Sequence, residues 1–205
     1  VLSEVFYRFK NLVLYDLNIP MLELLGRIKK SAAAYKKLVE ASFRKEGDLK
    51  RPELFMYRIK CLDSNLAKAI VLTLVDEQHK FESSQIDGVL DIVESWICRR
   101  AILQKSTKRY NYIFADVVKT IRASTPENVV SSVRSYFESE SSETSYWPDD
   151  EEISLELQSR NMYRRRARGR MILEAVEDYY RGWKNSGVSS SGTPRVSRMV
   201  YSIEH

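Results

Sequence analysis

Ile86, Val89, Leu90, Val93, Trp96, Ile97 and Ala101 recur at spacings of three and four. A stretch that holds the helical period over four turns folds as a helix with one face against a core. Ser83 or Ser84 supplies a cap for its start. Arg99 and Arg100 place cations at the negative end of its dipole. Only 7 Gly and 5 Pro interrupt 205 residues, so long uninterrupted elements are expected on both sides of this one.

The flanking chain reads the same way. Val5, Phe6, Phe9, Leu12 and Val13 predict an opening helix. Asn18-Ile19-Pro20 restarts the chain. Met21, Leu24, Leu25, Ile28, Ala32, Tyr35 and Val39 then form the stripe of a second helix that stops near Glu46-Gly47. The cations Arg27, Lys29, Lys30, Lys36 and Lys37 lie mostly off this stripe, as a solvated face does. Arg51-Pro52-Glu53 starts a third helix. Asp63 or Ser64 caps a fourth, Leu66 to Lys80, which is apolar on most sides and belongs near the centre of a bundle; for so short an apolar run a buried strand is the alternative. A helix over Tyr110 to Ile121 follows, then one capped by Thr125 with Pro126 at its first position. Glu138 to Thr144 reads as an exposed loop. Asp149 and Glu152 form a capping box for the next helix, which accounts for the four carboxylates 149–152 without acid/base chemistry. An apolar helical pattern runs from Met171 to Trp183. Met199, Tyr201 and Ile203 alternate as one face of a short closing strand. The fold class is mainly α, a multi-helix bundle of about eight or nine helices with a short C-terminal strand.

Composition narrows the function classes. No apolar run reaches the ~20 residues of a membrane helix, and 43% hydrophobic with 30% charged residues is an ordinary globular balance. Cys61 and Cys98 form no CxxC pair, so a structural zinc site is not expected, and two buried thiols fit a reducing, cytoplasmic setting. Gly26 to Ser31 resembles a phosphate loop in outline, but it lacks the glycine before the lysine and lies within a helical stripe. His79 reads as a solvated cation at a helix end. With His205 the only other histidine, no Ser/His/Asp or Cys/His set can be assembled.

Net charge is +5, and its distribution says more than its sum. Glu138 to Glu152 holds seven acidic and no basic residues, whereas Arg160, Arg164, Arg165, Arg166, Arg168 and Arg170 crowd one short segment. Arginine forks match phosphate oxygens, and Tyr163 offers a stacking surface. Arg160, Arg164 and Arg168 share a helical face. Two readings stay open: DNA phosphate contact, or an internal answer to the acidic run.

The order of motifs in the second half resembles the GmrSD family of modification-dependent (type IV) restriction endonucleases. The carriers are Glu94-Ser95-Trp96-Ile97-Cys98-Arg99-Arg100-Ala101-Ile102, Asn111-Tyr112-Ile113-Phe114-Ala115, Trp147-Pro148-Asp149-Asp150-Glu151 (the family's Trp-Pro-x-Asp element) and Arg168 to Tyr180. Tyr201-Ser202-Ile203-Glu204-His205 looks like the start of the family's Ile-Glu-His-Ile-x-Pro-Gln element, which opens an HNH-like nuclease domain. The resemblance covers roughly Ser83 to His205.

It implies a multidomain enzyme: an N-terminal nucleotide-hydrolysing domain with an Asp-Gly-Gln-Gln-Arg motif, a helical middle, and a C-terminal nuclease that cuts DNA bearing modified cytosines in phage defence. This chain has no Asp-Gly-Gln-Gln-Arg and lacks the asparagine and later histidine of the nuclease. It therefore corresponds to the helical middle: a helical domain over 1–183, with a subdivision admitted near 138–147, a Ser/Gly linker over 184–194, and the start of the nuclease domain over 195–205. By resemblance His205 is the general base of an incomplete site, and a divalent ion such as Mg²⁺ and a nucleoside triphosphate belong to the parent. The fragment alone is expected to be inactive. Expected partners are DNA, flanking domains of the same polypeptide and a homo-oligomer, with no membrane. The alternative is a non-enzymatic helical scaffold or oligomerisation module.

Overall fold

A computed structural model describes residues 2–16, 19–76, 80–159, 165–183 and 189–202. Among these, nine α-helices occur: α1 (Leu2–Asn11), α2 (Met21–Ser42), α3 (Arg51–Cys61), α4 (Lys68–Asp76), α5 (Ser83–Ile102), α6 (Tyr110–Ala123), α7 (Val129–Ser139), α8 (Asp150–Ser159) and α9 (Arg166–Tyr180). A π-helical turn, Leu12–Asp16, extends α1, and a 3-10 turn, Asn65–Ala67, leads into α4. The protein is a mainly α, multi-helix bundle.

The chain divides into two units, Val1–Lys37 and Leu38–His205. In the first, none of the described residues is buried. In the second, α5 packs on α3, α7 and α8, α4 packs on α3 and α6, and α9 lies on α3. The stripe of α5 lines the core: Val89, Leu90, Val93 and Trp96 are fully buried, as are Ile70, Val71 and Leu74 of α4. Burying one such side chain contributes about 1.5–3 kcal/mol, so α4 and α5 are held chiefly by their apolar faces. An aromatic cluster fills the space between α5, α6 and α7. Trp96 lies 4.9 Å from Tyr110 and 5.0 Å from Phe137, and Trp147 closes it 5.9 Å from Phe137. Gly88 lets α7 approach closely, since a Cβ there would stand 3.1 Å from Val130 Cγ2.

Several helix ends differ from expectation for local reasons. The N-cap of α5 is Glu82, one residue early, because the Gln85 side chain accepts the Glu82 N–H at 2.8 Å. Helix α7 begins at Val129 rather than Pro126, because the Asn128 side chain accepts the Thr125 N–H and holds 126–128 as a turn. Helix α2 stops at Ser42, although Gly47 does take a left-handed φ of 76°. At α8 the capping box forms as expected, with Glu152 N–H donating to Asp149 Oδ1 at 2.9 Å and Asp149 N–H to Glu152 Oε2 at 3.2 Å.

The short C-terminal strand is not found among the described residues. Arg198 and Met199 form a turn, with Met199 at φ 59°, and 200–202 are irregular. A strand needs a neighbour to pair with, and the one described bridge, Trp183 to Ser189, lies elsewhere. Ile203 lies outside the described residues. The described part of the expected linker is anchored instead. Ser189 and Ser191 hydroxyls both donate to the Arg181 carbonyl, at 2.8 and 2.6 Å.

Candidate functional site

The residues that carry the motif order converge on the last two turns of α5. The loop between α7 and α8 has few backbone partners of its own, and buried carbonyls must find donors. Side chains of α5 supply them. Trp96 Nε1 donates to the Ser145 carbonyl at 2.9 Å. Arg100 Nη1 donates to Tyr146 O at 2.9 Å, and its Nη2 to Ser106 O at 3.1 Å and Glu143 O at 3.4 Å. Arg99 donates to the Pro148 carbonyl at 3.0 Å and pairs with Asp150. Arg100 is fully buried and is covered by the rings of Trp96 and Tyr146 at 5.0 and 5.7 Å. Its described partners are carbonyl dipoles and π faces, not carboxylates.

Arg168 completes this node by donating to the Ala101 carbonyl. Burial lowers its pKa. Arg168 thus spends its guanidinium inside the fold. Arg170 is half-buried, 3.8 Å from Glu174. Arg165 and Arg166 are exposed at the start of α9. Arg160, Arg164, Tyr163, His79 and His205 lie outside the described residues. The acidic run is answered elsewhere: Glu138 by Arg134, Glu143 by Lys105 and Asp150 by Arg99.

Two further charged networks lay beyond sequence reasoning. Glu94 on α5 accepts from Arg51 at 3.0 Å and Arg58 at 2.6 Å, while Arg51 also reaches Asp91 at 2.7 Å. Burial would raise the Glu94 pKa, but the two arginines outweigh it and hold the carboxyl below the usual glutamate range. On α9, Glu174 accepts from the Tyr57 hydroxyl at 2.5 Å and the Met199 N–H at 2.9 Å. One turn on, Asp178 accepts from Arg195 at 2.9 Å and the Val196 N–H at 2.8 Å. Arg198 donates to the carbonyls of Arg44, Glu46 and Gly47. The signal for the α9 network was present: Glu174 and Asp178 stand at i and i+4, with Met171 just before, on the face that packs inward.

Beside α9 runs an open cleft of about 710 Å³, lined by Arg170, Leu173, Glu174, Val176, Tyr180 and Tyr201. It holds two arginines and two glutamates that largely pair with each other. Cys98 flanks a smaller cleft, and burial followed by the Glu94 charge pushes its thiol up to about 11, away from nucleophilic use. Among the described residues no three His, Cys, Asp or Glu side chains stand together as metal ligands. No helix among them is long and apolar enough to cross a membrane. The described contacts of these residues are structural: carbonyls, rings and carboxylates of the fold itself. No protein-family model, curated protein or solved structure matches the chain.

Proposed function

We propose that this chain is the helical domain of a modification-dependent restriction endonuclease, joining a nucleotide-hydrolysing domain to an HNH-like nuclease and touching DNA phosphates at the start of α9. The observation that supports this reading is the convergence of its motif residues. Trp96, Arg99, Arg100, Phe114, Trp147, Pro148 and Arg168 are far apart in sequence, yet they form one packed node around the end of α5. On this reading the motif residues build the domain rather than cut DNA. Arg165 and Arg166 supply the phosphate contact, aided by the positive end of the α9 dipole.

The test is duplex DNA binding by the 205-residue chain across a salt series, with a cleavage assay in Mg²⁺. Binding at low salt that falls as salt rises, weakened in Arg165→Glu/Arg166→Glu, is expected, with no cleavage. Absence of binding at low salt would remove the DNA contact. Metal-dependent cleavage by the chain alone would overturn the domain assignment. A second reading, a non-enzymatic scaffold or oligomerisation module, is favoured by one observation: twelve large apolar side chains of the first unit are exposed.

A further inference from the structure

The first unit has apolar faces and, among its described residues, no buried core. Val5, Phe6, Tyr7, Phe9, Leu12, Leu14 and Tyr15 are 42–80% exposed in α1 and its π extension, and Met21, Leu22, Leu25, Ile28 and Tyr35 are 37–84% exposed in α2. Isolated exposed apolar residues are ordinary, but this many in under forty residues mark an interface.

The spacing on α2 identifies what fits it. Met21, Leu25, Ile28, Ala32 and Tyr35 stand 4, 3, 4 and 3 residues apart, and all five are exposed. That alternation is the seam of a left-handed two-helix packing, with Leu25 and Ala32 at a and Met21, Ile28 and Tyr35 at d. A lipid surface selects a broad apolar face and no such register. The seam therefore asks for another helix.

We infer that the occupant is a second copy of this chain, α2 against α2, parallel and in register. In that arrangement each layer meets itself, and the small Ala32 layer lets the helices close. The flanking positions also fit. Leu24 and Ser31 on one helix face Lys29 and Lys36 on the other, so lysine stems cover apolar or hydroxyl neighbours. Packed antiparallel, Lys29 would face Lys29 or Lys36 of the other helix. Lys30 and Lys37 point away from the seam in either case.

Charge gives the inference a signature. Residues 1–37 carry seven basic side chains (Arg8, Lys10, Arg27, Lys29, Lys30, Lys36, Lys37) against three acidic (Glu4, Asp16, Glu23). Two copies brought together repel, so salt strengthens the dimer. Docking of an acidic helix or a nucleic acid on the same face would instead weaken with salt.

Analytical ultracentrifugation of the 205-residue chain tests this. A dimer is expected that tightens between about 0.05 and 0.5 M salt. Ile28→Glu raises the dissociation constant by ~30-fold or more, while Ala33→Glu, off the seam, leaves it within a few-fold. Under oxidation Ala32→Cys gives a cross-linked dimer beyond the wild-type background of Cys61 and Cys98, and Ala33→Cys does not. A chain that stays monomeric at about 100 μM, a dimer indifferent to Ile28→Glu, or equal cross-linking at positions 32 and 33 would overturn the inference. None of these outcomes depends on whether the chain binds DNA.

Discussion

The hydroxyl of Tyr57 on α3 donates to Glu174 on α9 across 117 residues of sequence, at 2.5 Å and out of contact with water. Burial, reinforced by this carboxylate acceptor, keeps the tyrosine protonated well above its ordinary pKa. The same carboxylate holds the Met199 N–H. One glutamate thus joins α3, α9 and the segment after it.

Tyr57→Phe removes the donor and leaves the buried Glu174 oxygen unpaired. The expected loss is about 1–3 kcal/mol of unfolding free energy, read from urea denaturation. A change within ±0.3 kcal/mol would show that the hydrogen bond contributes nothing net.

Arg100→Lys keeps the charge but not the fork. A lysine cannot serve Tyr146, Ser106 and Glu143 carbonyls together. The expected loss is about 1–3 kcal/mol, with faster proteolysis in the 140–149 loop than elsewhere. Wild-type stability in this variant would mean that the loop is held by other contacts.

Glu94 makes the fold sensitive to acid. Its folded pKa is depressed by Arg51 and Arg58, so its contribution is complete above the unfolded value of about 4.3 and fades as pH falls through and below it. Stability measured from pH 7 down to 3 should therefore drop through this window. Glu94→Gln should flatten that part of the curve while lowering the neutral-pH plateau. An unchanged acid limb in the variant would assign the drop to other carboxylates.

Both thiols should be quiet in the folded chain. Cys98 is pushed up to about 11 and Cys61 is raised, in each case mainly by burial. At pH 8 the Cys98 thiolate fraction falls on the order of 100-fold below that of a free thiol. A thiol-reactive dye should label it at that reduced rate until urea unfolds the chain. Both cysteines are half-buried rather than buried, and rapid labelling of Cys98 in native buffer would show that its thiol is not held up.

What could be read from sequence follows from how far each signal reaches. The α5 stripe was legible because periodicity reports burial within one element. The Asp149–Glu152 box was legible because its two partners are three residues apart. The start of α7 was displaced because the Asn128 side chain competes for the Thr125 N–H, a contact that Pro126 does not reveal. The closing strand is not found among the described residues 198–202, because alternation at Met199, Tyr201 and Ile203 says nothing about whether a neighbouring strand exists. Periodicity likewise showed that α2 has an apolar face and could not show that the face is uncovered. The inward turn of Arg100 and Arg168 was hidden for the same reason. Their carbonyl partners lie up to 46 and 67 residues away, and a carbonyl carries no sequence label.

Arg198 has a mechanical meaning. It grips the carbonyls of Arg44, Glu46 and Gly47, and its own N–H donates to the Lys45 carbonyl at 2.7 Å. The second unit is thereby a ring closed at one clasp, with about 150 residues of helices strung between its two halves. Tension applied at residues 43 and 202 would load this clasp together with the Arg44–Glu53 pair on α3 and the Met199–Glu174 hydrogen bond on α9. Parting the two ends would require that guanidinium and the Glu174 carboxylate, which holds the next residue, to let go together.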